Sequence, residues 1–179
     1  MTLKSTKLDS YGKFKIDEQK KFKNNVWTSY TIINIIKDYI KNNNLEFKKA
    51  LDPCAGSCRL LKEFPEYQWQ AYEINNKIIN ECIEEQFKQF VQEADFLKVD
   101  TTDNFDLCIC NPPYNKNGGI NKWVEKILNC CSYLFLIVPY NMIKQIKKQN
   151  YLIDILHTDV DDMDKSYHTS IKIYVLRLH

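Results

Sequence analysis

The sequence predicts an α/β domain: a mostly parallel sheet covered by helices on both faces, with an antiparallel strand pair at its end. Three observations carry this. Short apolar runs alternate with helix-period segments from Ala50 to Val138, the pattern left by parallel strands joined through crossover helices. Two further strand-like runs close the chain with an acidic loop between them instead of a helix, which suits antiparallel pairing. The length of 179 residues is that of one domain and allows a core without metals or disulfide staples.

Taken in order, residues 1–25 show no apolar periodicity and read as a lysine-rich arm, which leaves 26–179 as the folded domain. Ile32, Ile33, Ile36, Tyr39 and Ile40 recur at helical spacing, with Thr28 or Ser29 as N-cap and Asn42, Asn43 and Asn44 as the stop. A short strand at Ala50 and Leu51 runs into Asp52 and Pro53, followed by a helix over 59–64, a strand over 68–72 and a helix over 77–86. Strands over 90–93 and 105–110, a helix over 121–131 and a strand over 133–138 continue the alternation. A helical turn over 142–148 then precedes the closing strands, 151–157 and 170–178. No repeat, linker or low-complexity block interrupts the domain.

Composition narrows the class. No apolar stretch approaches the roughly 20 residues that cross a bilayer, and the lysine-rich start lacks a signal-peptide core. A cytoplasmic protein without membrane contact is expected. Seven cysteines are an odd number in a chain without an export signal, so reduced thiols are the expectation. Their spacings, Cys54/Cys58, Cys108/Cys110 and Cys130/Cys131, form no paired zinc knuckles, and the three histidines lie elsewhere. The run Asp159, Asp161, Asp162, Asp164 lacks calcium-loop spacing and reads as a solvated loop, so no metal is expected. The net charge of +2 hides an asymmetry: residues 1–50 hold eleven lysines against five acids. An arm of that charge can follow phosphates, and equally fits a solvated tail.

The chemistry-bearing residues sit where strands end. Asp52, Pro53, Cys54, Ala55, Gly56 and Ser57 follow the first strand, at the position where open parallel sheets bind ligands. Gly56 permits a positive φ or close backbone approach, Ala55 and Ser57 leave room, and Asp52 offers a carboxylate to a cation. Neither GxxxxGK[ST] nor GxGxxG is present, which argues against phosphate. Glu73 ends the second strand, where an acid can accept from ribose hydroxyls. Asp95 and Phe96 follow the third, offering one acceptor for an adenine amine and one ring to pack on adenine.

The fourth strand, Phe105 to Cys110, runs directly into Asn111, Pro112, Pro113 and Tyr114. Two prolines remove two amide donors and stiffen the backbone, so carbonyls here can face a substrate. The Asn111 side-chain carbonyl and the Pro112 carbonyl can together hold an exocyclic amine and favour the positive charge that develops during methyl transfer. Tyr114 can stack on a flat base or amide.

These motifs resemble the class I S-adenosylmethionine-dependent methyltransferases, within them the adenine-N(6) branch whose cofactor motif precedes its catalytic one. The resemblance covers about residues 26–179. It implies a Rossmann-like, doubly wound, seven-stranded sheet with an antiparallel last strand. It implies S-adenosylmethionine as cofactor, held by Trp27, Thr28, Asp52, Cys54, Ala55, Gly56, Glu73, Ile74, Asp95, Phe96 and Asn111. Asn111, Pro112, Pro113 and Tyr114 resemble the catalytic tetrapeptide, and Tyr114, Tyr167 and His168 fall where relatives line the target pocket. The implied substrate is adenine in DNA or RNA, with nucleic acid as partner. Protein glutamine methyltransferases and non-catalytic binding proteins of the same fold are the alternatives. The chain departs from the family in two respects. Cys58 stands where a second glycine is common, and no stretch is left for a separate target-recognition domain, so recognition could come from a protein partner.

Overall fold

The computed structural model describes residues 28–113, 119–139, 142, 151–157 and 171–177. Helix α1, Tyr30–Asn42, starts at Ser29, whose hydroxyl accepts from the Ile32 N–H at 3.3 Å. Its buried stripe is Ile32, Ile33 and Ile36, the spacing that defines an amphipathic helix. It ends at Asn43, and Asn44 takes a left-handed φ of 49°, a conformation asparagine tolerates better than most residues. Strand β1, Lys49–Asp52, is followed by helix α2, Arg59–Glu63, and strand β2, Gln68–Glu73.

The helix expected over 77–86 is instead two short ones, α3, Asn76–Cys82, and α4, Glu85–Lys88. Ile83 separates them in an extended conformation with its side chain buried; burying it in the core outweighs continuing the helical hydrogen bonds. Strand β3, Val91–Glu93, leads into a 3-10 turn, Phe96–Lys98, and then β4, Phe105–Cys110. Helix α5, Gly119–Leu128, ends earlier than expected, because Cys131 already belongs to β5, Cys131–Pro139. The closing strands are β6, Leu152–His157, and β7, Ile171–Arg177. Of the turn expected over 142–148, only Met142 is among the described residues.

The seven strands form one sheet in the order β3-β2-β1-β4-β5-β7-β6. Strand β7 runs antiparallel to both β5 and β6, so the antiparallel strand is the last one but not an edge. It inserts between its neighbours and leaves β6 outermost. Burial alternates strictly: Leu107 and Ile109, Tyr133, Phe135 and Ile137, and Ile173 and Val175 face the layer that includes α1 and α2. Cys108 and Cys110, Leu134, Leu136 and Val138, and Tyr174 and Leu176 face the layer containing α5. A sheet covered on both sides needs continuous apolar strands, which is why the β4 and β5 sequences show no polar alternation.

One feature of this topology locates the site. The chain steps from β1 outward through β2 to β3, then returns to the other side of β1 as β4. The crevice between the carboxyl ends of β1 and β4 is a topological switch point, the place where open α/β sheets take ligands.

Candidate functional site

Strand β1 pairs in parallel with both neighbours, Leu51 opposite Gln70 of β2 and Cys108 of β4. Asp52 and Asn111 therefore leave the sheet at the same edge from adjacent strands. The loop after β1 folds back on β2: the Ala55 N–H donates to the Tyr72 carbonyl at 2.8 Å, and the Gly56 N–H donates to Glu73 Oε2 at 2.9 Å. Gly56 achieves this with a φ of +54°, available to glycine without a steric penalty. The other Glu73 oxygen, Oε1, accepts from the Asn75 N–H at 2.8 Å. The Ala94 N–H donates to the Glu73 carbonyl at 3.1 Å, which draws the end of β3, and with it Asp95, to the same edge.

Asp52 is 1% exposed, and its Oδ1 accepts from the Cys54 N–H at 3.1 Å. Burial pushes its carboxyl well above the ordinary carboxylate range; the Cys110 thiol and the Glu73 carboxylate add to the shift, and the Cys54 N–H opposes it. Glu73 is raised too, chiefly by burial, against the N–H groups of Asn75, Gly56 and Ile74. Two desolvated acids beside one loop form an electrostatic hole that a cation would fill. The Cys54 thiol packs against the α5-side layer, and burial raises it as well.

Cys58 occupies the N-cap of α2 with a φ of +58°, and its side chain is fully buried. The thiol belongs to the apolar layer that includes Ile32, Leu60 and Phe64, so it points into the core beneath the loop. Left-handed backbone at a non-glycine residue costs about 1–2 kcal/mol. Burying the thiol offsets part of that.

Asp95 caps the 3-10 turn, its Oδ1 accepting from the Leu97 N–H at 3.1 Å and its Oδ2 lying 3.4 Å from Lys98 Nζ. Phe96 corrects a sequence expectation. Its ring is 1% exposed, packed 5.3 Å from Tyr72 and 6.1 Å from Trp123 between centroids. It is a core ring and presents no face for adenine; apolar burial against two aromatic neighbours decided its orientation. Ile74, directly after Glu73, is 67% exposed and supplies apolar surface at the strand end.

At the end of β4, Asn111 is half-buried, Pro112 buried and Pro113 exposed. Asn111 Nδ2 donates to Thr28 Oγ1 at 3.4 Å. That contact engages the donor end of the amide, so the acceptor role rests on Oδ1. Thr28 is itself buried, and its carbonyl accepts from Arg59 Nη1 at 2.8 Å. Sequence reasoning passed over Arg59. The signal was there: Arg59 and Arg177 are the only arginines in a chain otherwise supplied with lysine, and arginine is chosen where a planar fork matters.

Thr28, Asp52, Cys54, Ala55, Gly56, Glu73, Asp95 and Asn111 thus gather around one sheet edge, with Ile74 exposed beside them. Trp27, Tyr114, Tyr167 and His168, the arm over 1–25 and the acidic run over 159–164 lie outside the described residues. Among the described residues no cluster of three or more His, Cys, Asp or Glu side chains could hold a metal ion, and no helix is long and apolar enough to cross a membrane. A surface cavity of about 310 Å³ lined by Lys37, Ile40, Lys41, Glu63, Phe64, Glu66 and Tyr67 lies near the amino end of β2, away from this edge.

No family model matches the chain. It is similar to the type II methyltransferase M.AccI of Acinetobacter calcoaceticus, 27% identical over 174 residues that take in 85% of this chain and 32% of that protein. The chain therefore spans about a third of the length of that curated relative. It is similar in structure to an S-adenosylmethionine-dependent methyltransferase from Clostridium acetobutylicum ATCC 824, with a TM-score of 0.68 at 14% identity, covering 94% of this chain and 99% of that one. It is similar also to a dimethyladenosine transferase from Plasmodium falciparum, with a TM-score of 0.64 at 14% identity, covering 86% and 63%. At such identities the likeness is one of fold. The chain has the Rossmann-like fold of the class I S-adenosylmethionine-dependent methyltransferases.

Proposed function

We propose that this chain is an S-adenosylmethionine-dependent methyltransferase acting on the exocyclic amine of adenine in DNA or RNA. The observation that carries the reading is the convergence of two loops at the switch point, the acid-bearing Asp52 to Ser57 loop after β1 and Asn111, Pro112 and Pro113 after β4.

The residues present fit the cofactor. Asp52 and Glu73 are buried acids held above their ordinary pKa, and a ligand bringing an ammonium and hydroxyl donors would relieve both. Ile74 would lie against its base and Asp95 would accept from the base's amine. When bound, S-adenosylmethionine supplies an electrophilic methyl group. The remaining work belongs to the chain. Asn111 Oδ1 and the Pro112 carbonyl accept the two N–H groups of the target amine, hold it in line, and favour the positive charge that grows on its nitrogen. Pro112 and Pro113, lacking N–H groups, add no donor that would compete for these acceptors.

Adenine is favoured over a protein amide because one of the similar proteins is named for that chemistry, a dimethyladenosine transferase. The test is incubation with tritiated S-adenosylmethionine and three separate acceptors: PCR-amplified DNA, transcribed RNA and a glutamine-containing peptide. Label should enter one of the nucleic acids and be recovered as N(6)-methyladenine after digestion. Label entering the peptide alone, or none of the three while the cofactor still binds, would overturn the reading.

A further inference from the structure

We propose that Arg59 binds the carboxylate at the amino-acid end of S-adenosylmethionine. The inference rests on reading the edge from β3 to β4 as the site of that molecule, and it adds a cation to a site whose other charged groups are acids.

The order of groups along the sheet gives the first support. Strands β3, β2, β1 and β4 are successive parallel neighbours, and their carboxyl ends lead to Asp95, Glu73, Asp52 and Asn111 in that order. S-adenosylmethionine runs from base through ribose and sulfonium to an amino-acid group with one ammonium and one carboxylate. Acceptors for the base amine, the ribose hydroxyls and the ammonium stand at the first three strand ends. The carboxylate finds no partner there, because Asp52 and Glu73 would repel it. Arg59 reaches the far end of the series. Its Nη1 donates to the Thr28 carbonyl at 2.8 Å, and the hydroxyl of the same Thr28 lies 3.4 Å from Asn111 Nδ2. One residue therefore separates the guanidinium from Asn111.

The way the guanidinium is held gives the second support. Arg59 is half-buried, and its guanidinium lies 5.0 Å from the centroid of the Tyr30 ring. Arginine carries five N–H donors; the Thr28 carbonyl takes one and the ring face takes none. Among the described residues every ion pair is made by a lysine and none by Arg59. A cation drawn partly out of water without an anion is unfavourable, and a carboxylate received in the planar fork offsets this with two parallel hydrogen bonds. Ring and carbonyl orient the fork in advance, so binding orders little that is not already ordered. Helix α2 begins at Arg59 directly after Cys58, so the loop that carries Asp52 and Gly56 also sets the root of this side chain.

The test is calorimetry on the full chain with two ligands, S-adenosylmethionine and its decarboxylated form, which keeps both the sulfonium and the ammonium. The wild type should bind the decarboxylated form more weakly by roughly tenfold or more, the scale of a hydrogen bond to a charged group. Arg59→Met should lose a similar factor for S-adenosylmethionine and stay within about twofold of the wild type for the decarboxylated form, because both deletions remove one interaction. Arg59→Lys keeps the charge without the fork and should fall between. Equal affinity of the wild type for the two ligands overturns the proposal even if Arg59→Met does not fold. A loss in Arg59→Met of the same size for both ligands overturns it too, and makes Arg59 a support of the loop. Wild-type affinity of Arg59→Met for S-adenosylmethionine, with weakened binding of DNA or RNA by fluorescence anisotropy, overturns it and assigns the cation to a phosphate. Methyl transfer to adenine together with binding that ignores the carboxylate removes this inference alone, whereas no saturable binding of either ligand removes the functional reading with it.

Discussion

The loops after β1 and β4 leave the same sheet edge on adjacent strands, yet they are built in opposite ways. The β1 loop is saturated with its own hydrogen bonds: Cys54, Ala55 and Gly56 each donate a backbone N–H, to Asp52, Tyr72 and Glu73 respectively. Its acids are buried and held above their ordinary pKa. The β4 loop opens on Asn111, Pro112 and Pro113, whose two prolines have no N–H to donate, and the Asn111 side chain reaches Thr28. One loop is a preformed shape with uncompensated charge; the other is a stiff array of acceptors. Ligand binding should therefore be governed by the first and the chemical step by the second.

The sharpest way to break that division is Asn111→Ala. Removing an acceptor used as charge develops should cost ~3 kcal/mol or more, so turnover should fall at least roughly a hundredfold. Cofactor affinity, measured by calorimetry, should stay within about twofold, because no proposed β1-loop contact is touched. Parallel loss of affinity and turnover would mean the two loops are one functional unit.

Asp52→Asn probes the other side and should separate stability from binding. The amide keeps an acceptor for the Cys54 N–H but removes a buried charge, so affinity for S-adenosylmethionine should fall by roughly tenfold or more, on the scale of a charged hydrogen bond. The unliganded protein should become more stable, with a thermal midpoint higher by roughly a few degrees. The wild-type pH dependence has a definite sign. An acid whose folded pKa is raised detracts from stability above that pKa, so the unliganded chain should gain stability as pH falls from there toward the ordinary carboxylate range. Cofactor affinity should move the other way over the same window, since the protonated acid has lost its charge. Affinity independent of pH below neutrality would place the cation elsewhere.

The same contrast explains what could be read from sequence. Strand-end acids and the Asn111 to Pro113 turn were legible because they depend on local order along the chain: an apolar run, then a polar or stiff residue. The alternating sheet was legible for the same reason. What escaped depends on tertiary competition. Ile83 breaks a helix that its neighbours would continue, because the core takes its side chain. Phe96 was read as a ligand-facing ring because it follows Asp95, but Tyr72 and Trp123 claim it. Strand β7 looks like an edge partner of β6, and periodicity carries no information on its insertion beside β5. Arg59 acts on a residue 31 positions away, a relation that no local pattern encodes.

Cys58 gives the smallest expected effect and the finest distinction between shape and charge in the β1 loop. Its φ of +58° is strained by about 1–2 kcal/mol for any residue with a Cβ, while its buried thiol contributes on the order of 1 kcal/mol through apolar burial. Cys58→Gly removes both and adds unfolded-state freedom worth roughly 0.5–1 kcal/mol, so the changes nearly cancel and stability should stay within about 1 kcal/mol. Cys58→Ala keeps the strain and loses only the sulfur, so it should be the less stable of the two by chemical denaturation. Cofactor affinity should be unchanged in both, because the thiol faces the Ile32, Leu60 and Phe64 layer and not the crevice. Affinity that rises in Cys58→Gly and not in Cys58→Ala would show that backbone strain, transmitted to Gly56, limits how well the loop receives its ligand. Affinity that rises equally in both would instead put the sulfur in the channel and contradict its burial.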